Sequence, residues 1–144
     1  MRTFALSNGD LVLNGDRFAM IEGTARVQQQ VGLCMREPWR VDRFHPGWGS
    51  VLPNWVGSTA ITDQIKSDIT NEIRRIVSNF VTSTTEQARR RANAGLPATV
   101  SASEILTGVT SIQIRQQEDR LYVRVNLSTM SPVEFSVITS PGGI

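Results

Sequence analysis

The chain has 144 residues, of which 40% are hydrophobic and 19% charged, and this composition predicts a single globular domain and excludes a largely disordered chain. No apolar run approaches the roughly 18 residues that a membrane-spanning helix needs, and the N-terminal residues lack a signal-peptide core. We therefore expect a soluble protein, made without a secretory signal, whose formal net charge is +2 and whose basic residues, except Lys66, are all arginines.

Short strands are predicted for residues 3–21. Asn-Gly-Asp triplets at residues 8–10 and 14–16 separate short apolar runs. Asn and Gly accept the positive φ of type I′ turns, so both triplets indicate β-hairpins in a strand meander. The triplets lack the alternating oxygen ligands and distal glutamate of an EF-hand, which favours turns over a calcium site.

A first helix is predicted for residues 24–35, ending before Pro38. Cys34 is the only cysteine, which excludes an internal disulfide and a thiolate metal cage. Its place at helical spacing among apolar residues indicates a packing role. The apolar face of this helix consists of Val27, Val31, Cys34 and Met35.

An aromatic loop completes the predicted segment 24–58, and a loop of this length in a small domain is usually functional. Its stretch FHPGWGSVLPNW, residues 44–55, holds the only histidine and two of three tryptophans. Tryptophans in a rigid Pro/Gly frame either anchor protein interfaces or fold back onto the domain's own helix. His45 is a general base in principle, but its position between Phe44 and Pro46 favours a hydrogen-bonded loop residue.

A long amphipathic helix is predicted for residues 59–94, capped by Ser58 or Thr59 and closed at Gly95. A pause in this helix is expected near residues 82–85. Its apolar stripe consists of Ile61, Ile65, Ile69, Ile73, Ile76, Val77, Phe80 and Val81.

Three consecutive arginines, Arg89, Arg90 and Arg91, form the main basic cluster, with Arg74 and Arg75 earlier on the same helix. Phosphate recognition favours such clusters. However, no aromatic residue is interleaved with them, and no helix-turn-helix or zinc-finger spacing is present. The cluster therefore favours a solvated face or a protein-docking surface over nucleic-acid binding.

Residues 110–138 change to an alternation of apolar and polar residues, in which Leu121, Val123 and Val125 are separated by polar side chains. This period of two predicts an antiparallel sheet with one buried and one solvated face. The whole chain is then an α+β single domain, with an antiparallel sheet packed against two helices, one of them long and amphipathic.

Enzyme motifs are absent from the sequence. It contains no phosphate-binding glycine loop, no Gly-x-Ser-x-Gly elbow and no set of zinc ligands. Its carboxylates show no pattern that pairs two of them, as a glycosidase requires. We therefore expect no catalytic residue, no metal and no cofactor.

The chain resembles the baseplate wedge, or sheath-initiator, family of contractile phage tails and related injection systems, which is also labelled lysozyme-like. The resemblance lies in the order of its elements: a helix, a loop with Pro-x-aromatic-Gly-x-x-Leu, a long amphipathic helix and alternating strands. The loop motif here is Pro46, Trp48, Gly49 and Leu52. The chain departs from the family at His45, where an arginine is usual, and lacks the Glu-Pro-Arg tripeptide between long helix and strands.

This resemblance implies a structural subunit of the virion's tail baseplate, assembled in the host cytoplasm in several copies around the tail tube. Such a subunit links other wedge proteins to the tail sheath and seeds sheath assembly, with no small-molecule substrate and no membrane. Strand addition at an open sheet edge, residues 120–127 and 133–138, is the expected mechanism. The alternatives are a lysozyme-like peptidoglycan hydrolase and, less favoured, a basic nucleic-acid-binding module. The predicted partner-contact residues are Pro46, Trp48, Gly49, Leu52, Trp55, Arg89, Arg90, Arg91, Leu121, Val123 and Val125.

Overall fold

The structure is a computed structural model that describes residues 1–55, 61–118 and 120–131 with their side chains, and residues 134–139 as backbone. Two α-helices and antiparallel sheets form a small single domain, which confirms the predicted α+β class. The helices are α1 (Gly23–Arg36) and α2 (Asp63–Asn93), with two 3₁₀ helices at Leu52–Trp55 and Ala102–Glu104. The strands are β1 (Arg2–Phe4), β2 (Leu6–Ser7), β3 (Asp10–Leu11), β4 (Leu13–Asn14), β5 (Arg17–Phe18), β6 (Met20–Glu22), β7 (Leu106–Gln117), β8 (Arg120–Thr129) and β9 (Glu134–Thr139).

The N-terminal strands form a three-armed β motif rather than the meander that the sequence predicted. Strand β1 pairs with β6, while β2–β3 and β4–β5 are separate short hairpins. Where the arms meet, Ala5 N–H donates to Ala19 O (2.8 Å), Ala19 N–H to Val12 O (2.8 Å) and Val12 N–H to Ala5 O (3.0 Å). This ring of hydrogen bonds satisfies backbone groups that hairpins of two-residue strands leave unpaired.

The two hairpin turns have different backbone conformations. Asn8 and Gly9 both have positive φ, 52° and 89°, which is the predicted type I′ pattern. In the second turn only Gly15, the first central residue, has a positive φ, 68°. A positive φ at the first central residue alone is the type II′ pattern. The two Asn-Gly-Asp triplets therefore form hairpins as predicted, but only the first has the predicted turn type.

Helix α1 matches the prediction to within a residue at each end, and its predicted apolar face is buried. Cys34 is 3% exposed, and burial raises the pKa of its thiol. Cys34 is thus a packing residue, as its helical spacing indicated.

Helix α2 begins at Asp63, and the Thr62 hydroxyl accepts a hydrogen bond from Ile65 N–H (3.2 Å). The predicted capping residues, Ser58 and Thr59, lie outside the described residues. None of the helices in the described part of the chain is long and apolar enough to cross a membrane.

Replacing Thr62 by alanine is expected to lower the free energy of unfolding by about 1 kcal/mol, because the first turn of α2 loses its side-chain cap. Urea denaturation measures the loss. Thr62→Ser keeps a hydroxyl at the same place and serves as the control. An equal loss in both variants would contradict a capping role.

The pause expected near residues 82–85 is wrong, since α2 is continuous to Asn93. The hydroxyl of Thr84 donates to Phe80 O (2.8 Å) within the helix, which removes its competition with the helical backbone. The helix ends as predicted before Gly95, whose φ is 67°.

The C-terminal strands form an antiparallel sheet in the order β7-β8-β9. Residues 123–128 of β8 pair on both sides, so the expectation of an open edge at residues 120–127 is wrong for residues 123–127. Leu121, Val123 and Val125 are 2%, 0% and 0% exposed. They belong to the core between sheet and helices, which corrects their assignment as partner contacts. Position 133 of the second predicted edge segment lies outside the described residues.

A buried ion pair links α1 to the segment before β7. Arg26 Nε donates to Glu104 Oε1 at 2.8 Å, and the two side chains are 6% and 1% exposed. Ser101 N–H donates to the other carboxylate oxygen of Glu104 (2.8 Å), and the amino group of Met1 lies 3.6 Å from that oxygen. Burial raises the pKa of Glu104, but these hydrogen bonds and the Arg26 charge outweigh it, so the pKa is lowered overall.

Candidate partner-binding groove

The aromatic loop is rigid because hydrogen bonds join its first residues, Glu37 and Trp39, to Ser50. Trp39 N–H donates to Ser50 O (3.0 Å), and Ser50 N–H donates to Glu37 O (2.8 Å). The buried hydroxyl of Ser50 donates to Met35 O at the end of α1 (2.7 Å). These bonds hold the loop as a closed unit on the end of α1.

Gly49 lies where the two ends of the loop approach each other most closely, next to the backbone of Pro38. Its φ is 91°, and a Cβ atom at this position would lie 2.4 Å from Pro38 O. Both the backbone conformation and the close approach therefore require glycine. The glycine of the loop motif is thus a structural residue and not a surface that a partner touches.

Arg75 fastens the loop to α2. Its guanidinium stacks 4.0 Å from the Trp39 ring centroid, donates to Gly49 O (3.1 Å) and forms two 2.8 Å hydrogen bonds with Glu72. Glu72 also accepts from Val51 N–H (3.1 Å), and its hydrogen bonds with Arg75 lower the pKa of Glu72. Arg75 is not part of the apolar stripe of this amphipathic helix, so it would be expected to face solvent, but it lies half-buried beneath the loop.

Trp48 forms the wall between loop and helix. Its indole N–H donates to the Glu37 carboxylate, and its ring meets Phe80 edge to face at 5.8 Å and 69°. The backbone N–H of Trp48 donates to His45 O (2.9 Å). The ring is therefore held in one orientation while remaining partly exposed.

A groove of about 950 Å³ lies between the loop and the second half of α2. It brings together four of the predicted partner-contact residues: Pro46, Trp48, Arg90 and Arg91. Phe44 also lines it and is 90% exposed, so its ring is available to a partner segment that lies in the groove.

The arginines give one wall of the groove a positive charge. Arg90, with its side chain 78% exposed, is 3.4 Å from Glu86, and Arg91 Nε donates to Pro97 O (2.8 Å). Arg89 does not line the groove, because successive residues of a helix point in different directions. Glu86 is the only carboxylate among the described lining residues.

His45 forms a hydrogen bond with Asp42 at the mouth of the groove, as predicted for a loop residue. Its Nδ1 lies 2.8 Å from Asp42 Oδ2, and Phe44 N–H donates to Asp42 Oδ1 (2.8 Å). The hydrogen bond from His45 lowers the pKa of Asp42. The pair is solvent-exposed and stabilises the turn that presents Phe44.

The other predicted contact residues lie elsewhere. Leu52 is fully buried in the core, and Trp55 packs against the same core, so neither belongs to the groove. The sequence interpretation also missed Phe80 as a groove residue, because its place on the apolar stripe of α2 indicated core packing alone. The sequence did contain a signal for the position of Arg75. Glu72 and Arg75 are three residues apart on a helix, a spacing at which the two side chains form an ion pair.

Comparison of the chain with protein-family models, curated proteins and solved structures finds no match. Among the described residues, no group of three or more His, Cys, Asp and Glu side chains is arranged to hold a metal ion. The fold and the groove define a small α+β domain with a rigid aromatic loop, and its function is inferred from this site.

Proposed function

We propose that the chain is a structural subunit of a contractile phage tail baseplate, which links wedge proteins to the tail sheath and seeds sheath assembly. One observation carries the proposal: the motif on which the family resemblance rests builds a rigid loop that closes over Gly49 and presents Trp48 and Phe44 beside a groove. A preformed aromatic surface of this kind suits a permanent protein interface.

The groove favours a partner segment that carries both apolar and acidic side chains. Phe44, Trp48 and Phe80 offer ring surfaces, and Arg90 and Arg91 offer cations on the adjacent wall. Aromatic residues and arginine are the side chains enriched in interface cores. The described lining of the groove has a single carboxylate, Glu86, one fewer than a glycosidase needs, which favours binding over the lysozyme-like alternative.

Strand addition to the sheath, if it extends this sheet, has to use an outer strand. Strand β9 pairs with β8 in six consecutive register positions without a shift, whereas the β7–β8 ladder has two register shifts. Bulges twist an edge away from further pairing. We therefore assign sheath strand addition to β9 in place of residues 120–127.

The three-armed motif supplies a further surface that an assembly would cover. Its five large apolar side chains from Phe4 to Met20 are 48–62% exposed. Isolated exposed apolar residues are ordinary, but five on one small motif are typical of a subunit surface. These residues are Phe4, Leu11, Leu13, Phe18 and Met20.

Co-expression with the genomic neighbours, followed by electron microscopy of the purified material, tests the proposal. We expect copurification into wedge- or ring-shaped assemblies. The variant Phe44→Ser/Arg90→Glu is expected to weaken partner binding at least about tenfold, because it removes an anchor and reverses a charge.

Val41→Ser/Arg74→Glu is the matched control, since Val41 is 67% exposed, Arg74 is exposed, and neither lines the groove. Its assemblies should form normally. A monodisperse monomer without partners, or peptidoglycan hydrolysis by the purified chain, would refute the baseplate function.

A further inference from the structure

The outer face of the sheet carries arginines around one tyrosine. Side chains alternate between the two faces of a strand, and Leu121, Val123 and Val125 of β8 lie in the core. The residues between and before them, Arg120, Tyr122 and Arg124, therefore face outward.

Strand β7 adds a third arginine to this face. Arg115 is the register partner of Tyr122, and its guanidinium carbon lies 5.7 Å from the tyrosine ring centroid. All three arginines are exposed, and Tyr122 is partly exposed. We call Arg115, Arg120, Tyr122 and Arg124 the arginine face.

The charge of this face is not neutralised within the described part of the chain. No described carboxylate forms an ion pair with any of its three arginines, whereas Arg2, Arg26, Arg75 and Arg90 each have a carboxylate partner. Glu118, at the exposed hairpin turn, forms no ion pair with them either.

Farther along the same face, the side chains bond to each other. Asn126 Nδ2 donates to Ser111 Oγ (2.7 Å), and the hydroxyls of Thr107 and Ser128 are 2.8 Å apart. The three arginines are thus all on the half of the β7–β8 hairpin nearest the turn, which also carries the exposed Glu118.

We propose that the arginine face binds an acidic, extended segment of a partner protein. Arg120, Tyr122 and Arg124 are in one row, with successive outward positions about 7 Å apart and the two arginines therefore about 13 Å apart. Arg115 lies beside the middle position as the register partner of Tyr122, so a partner strand with Asp or Glu at alternate positions places a carboxylate near each of the three arginines. Arginine pairs with carboxylates through two parallel hydrogen bonds, and tyrosine and arginine are both enriched in interface cores.

Protein is favoured over nucleic acid as the occupant. Sheet surfaces that bind single-stranded nucleic acid stack two or three bases on aromatic rings, and Tyr122 is the only aromatic side chain on the described outer face. The whole chain has a formal net charge of only +2. This inference does not depend on the baseplate proposal, because the arginine face is formed by β7 and β8 and includes no residue of the groove or of β9.

Fluorescence anisotropy with labelled poly-L-glutamate, which charge repulsion keeps extended, tests the proposal on the full chain at low salt. The variant Arg115→Gln/Arg120→Gln/Arg124→Gln is expected to bind it about tenfold more weakly. Arg17→Gln/Arg43→Gln/Arg74→Gln removes the same charge from other exposed arginines that form no ion pair with described residues, and should bind within about twofold of the unmodified chain.

Thermal unfolding of both variants checks that each is folded. Equal weakening in the two triple variants would show that only net charge matters and would overturn the proposal. No binding of poly-L-glutamate by the unmodified chain would do the same. Tighter binding of a DNA duplex than of poly-L-glutamate through the same three arginines would assign the face to nucleic acid instead.

Discussion

Replacing Glu104 by leucine is expected to lower the free energy of unfolding by about 3–5 kcal/mol, because it leaves the buried Arg26 guanidinium without its carboxylate partner. Among the described residues, Arg26 then keeps only a 3.2 Å hydrogen bond to Gln30, which does not neutralise its charge. Urea denaturation monitored by circular dichroism measures the change.

The double variant Arg26→Leu/Glu104→Leu is the informative control. It removes both charges together, and apolar residues in place of a buried pair are often tolerated. We expect it to recover at least about 2 kcal/mol of the loss in the single variant. A double variant as unstable as Glu104→Leu would show that the damage comes from packing or from the lost Ser101 hydrogen bonds.

The Glu104 carboxylate also makes the free energy of unfolding depend on pH. The folded-state pKa of Glu104 lies below its usual value of 4.5, so its contribution is complete above about pH 4.5 and is lost as the pH falls through the folded pKa. We expect the free energy of unfolding to decrease on acidification in this range, and to decrease less steeply in Glu104→Leu. The slope that remains comes from other carboxyls with lowered pKa, including Glu72 and Asp42.

Replacing Gly49 by alanine is expected to cost about 3–5 kcal/mol, since the new methyl group meets a backbone oxygen at 2.4 Å in addition to the strain of positive φ. The segments around Pro38 and Ser50 would separate, and the ends of the loop would lose their mutual hydrogen bonds. Thermal unfolding gives the stability loss, and tryptophan fluorescence reports the movement of Trp39 and Trp48.

Gly9→Ala isolates the conformational part of this effect. Gly9 has nearly the same φ, 89° against 91°, but a Cβ atom there meets nothing within 4 Å, so the cost should be only about 1–2 kcal/mol. Gly47→Ala, which meets no atom and has no positive φ, should change stability by less than about 0.5 kcal/mol. Similar losses at Gly49 and Gly9 would mean that the close approach to Pro38 is not a constraint.

The sequence alone determined the elements whose signals are local. The apolar repeat of α1 predicted its ends to within a residue and the burial of Cys34, because a helix face depends only on spacing within the segment. Asn8 and Gly9 predicted their turn because positive φ is a property of those two residues. The alternation around Val123 likewise predicted a strand with one buried face.

Tertiary structure decided everything that depends on which distant segments meet. Alternation does not distinguish a central strand from an edge strand, so only the pairing of β8 on both sides showed that Val123 is inaccessible to a partner. Arg75 resembles any exposed helical arginine until the loop folds over it. Arg26 and Glu104 lie 78 positions apart, and Phe44 and Arg90 line one groove only because the loop is closed over Gly49. Contacts between residues so far apart in the sequence depend on how whole helices, strands and loops pack together. No local sequence pattern encodes that packing.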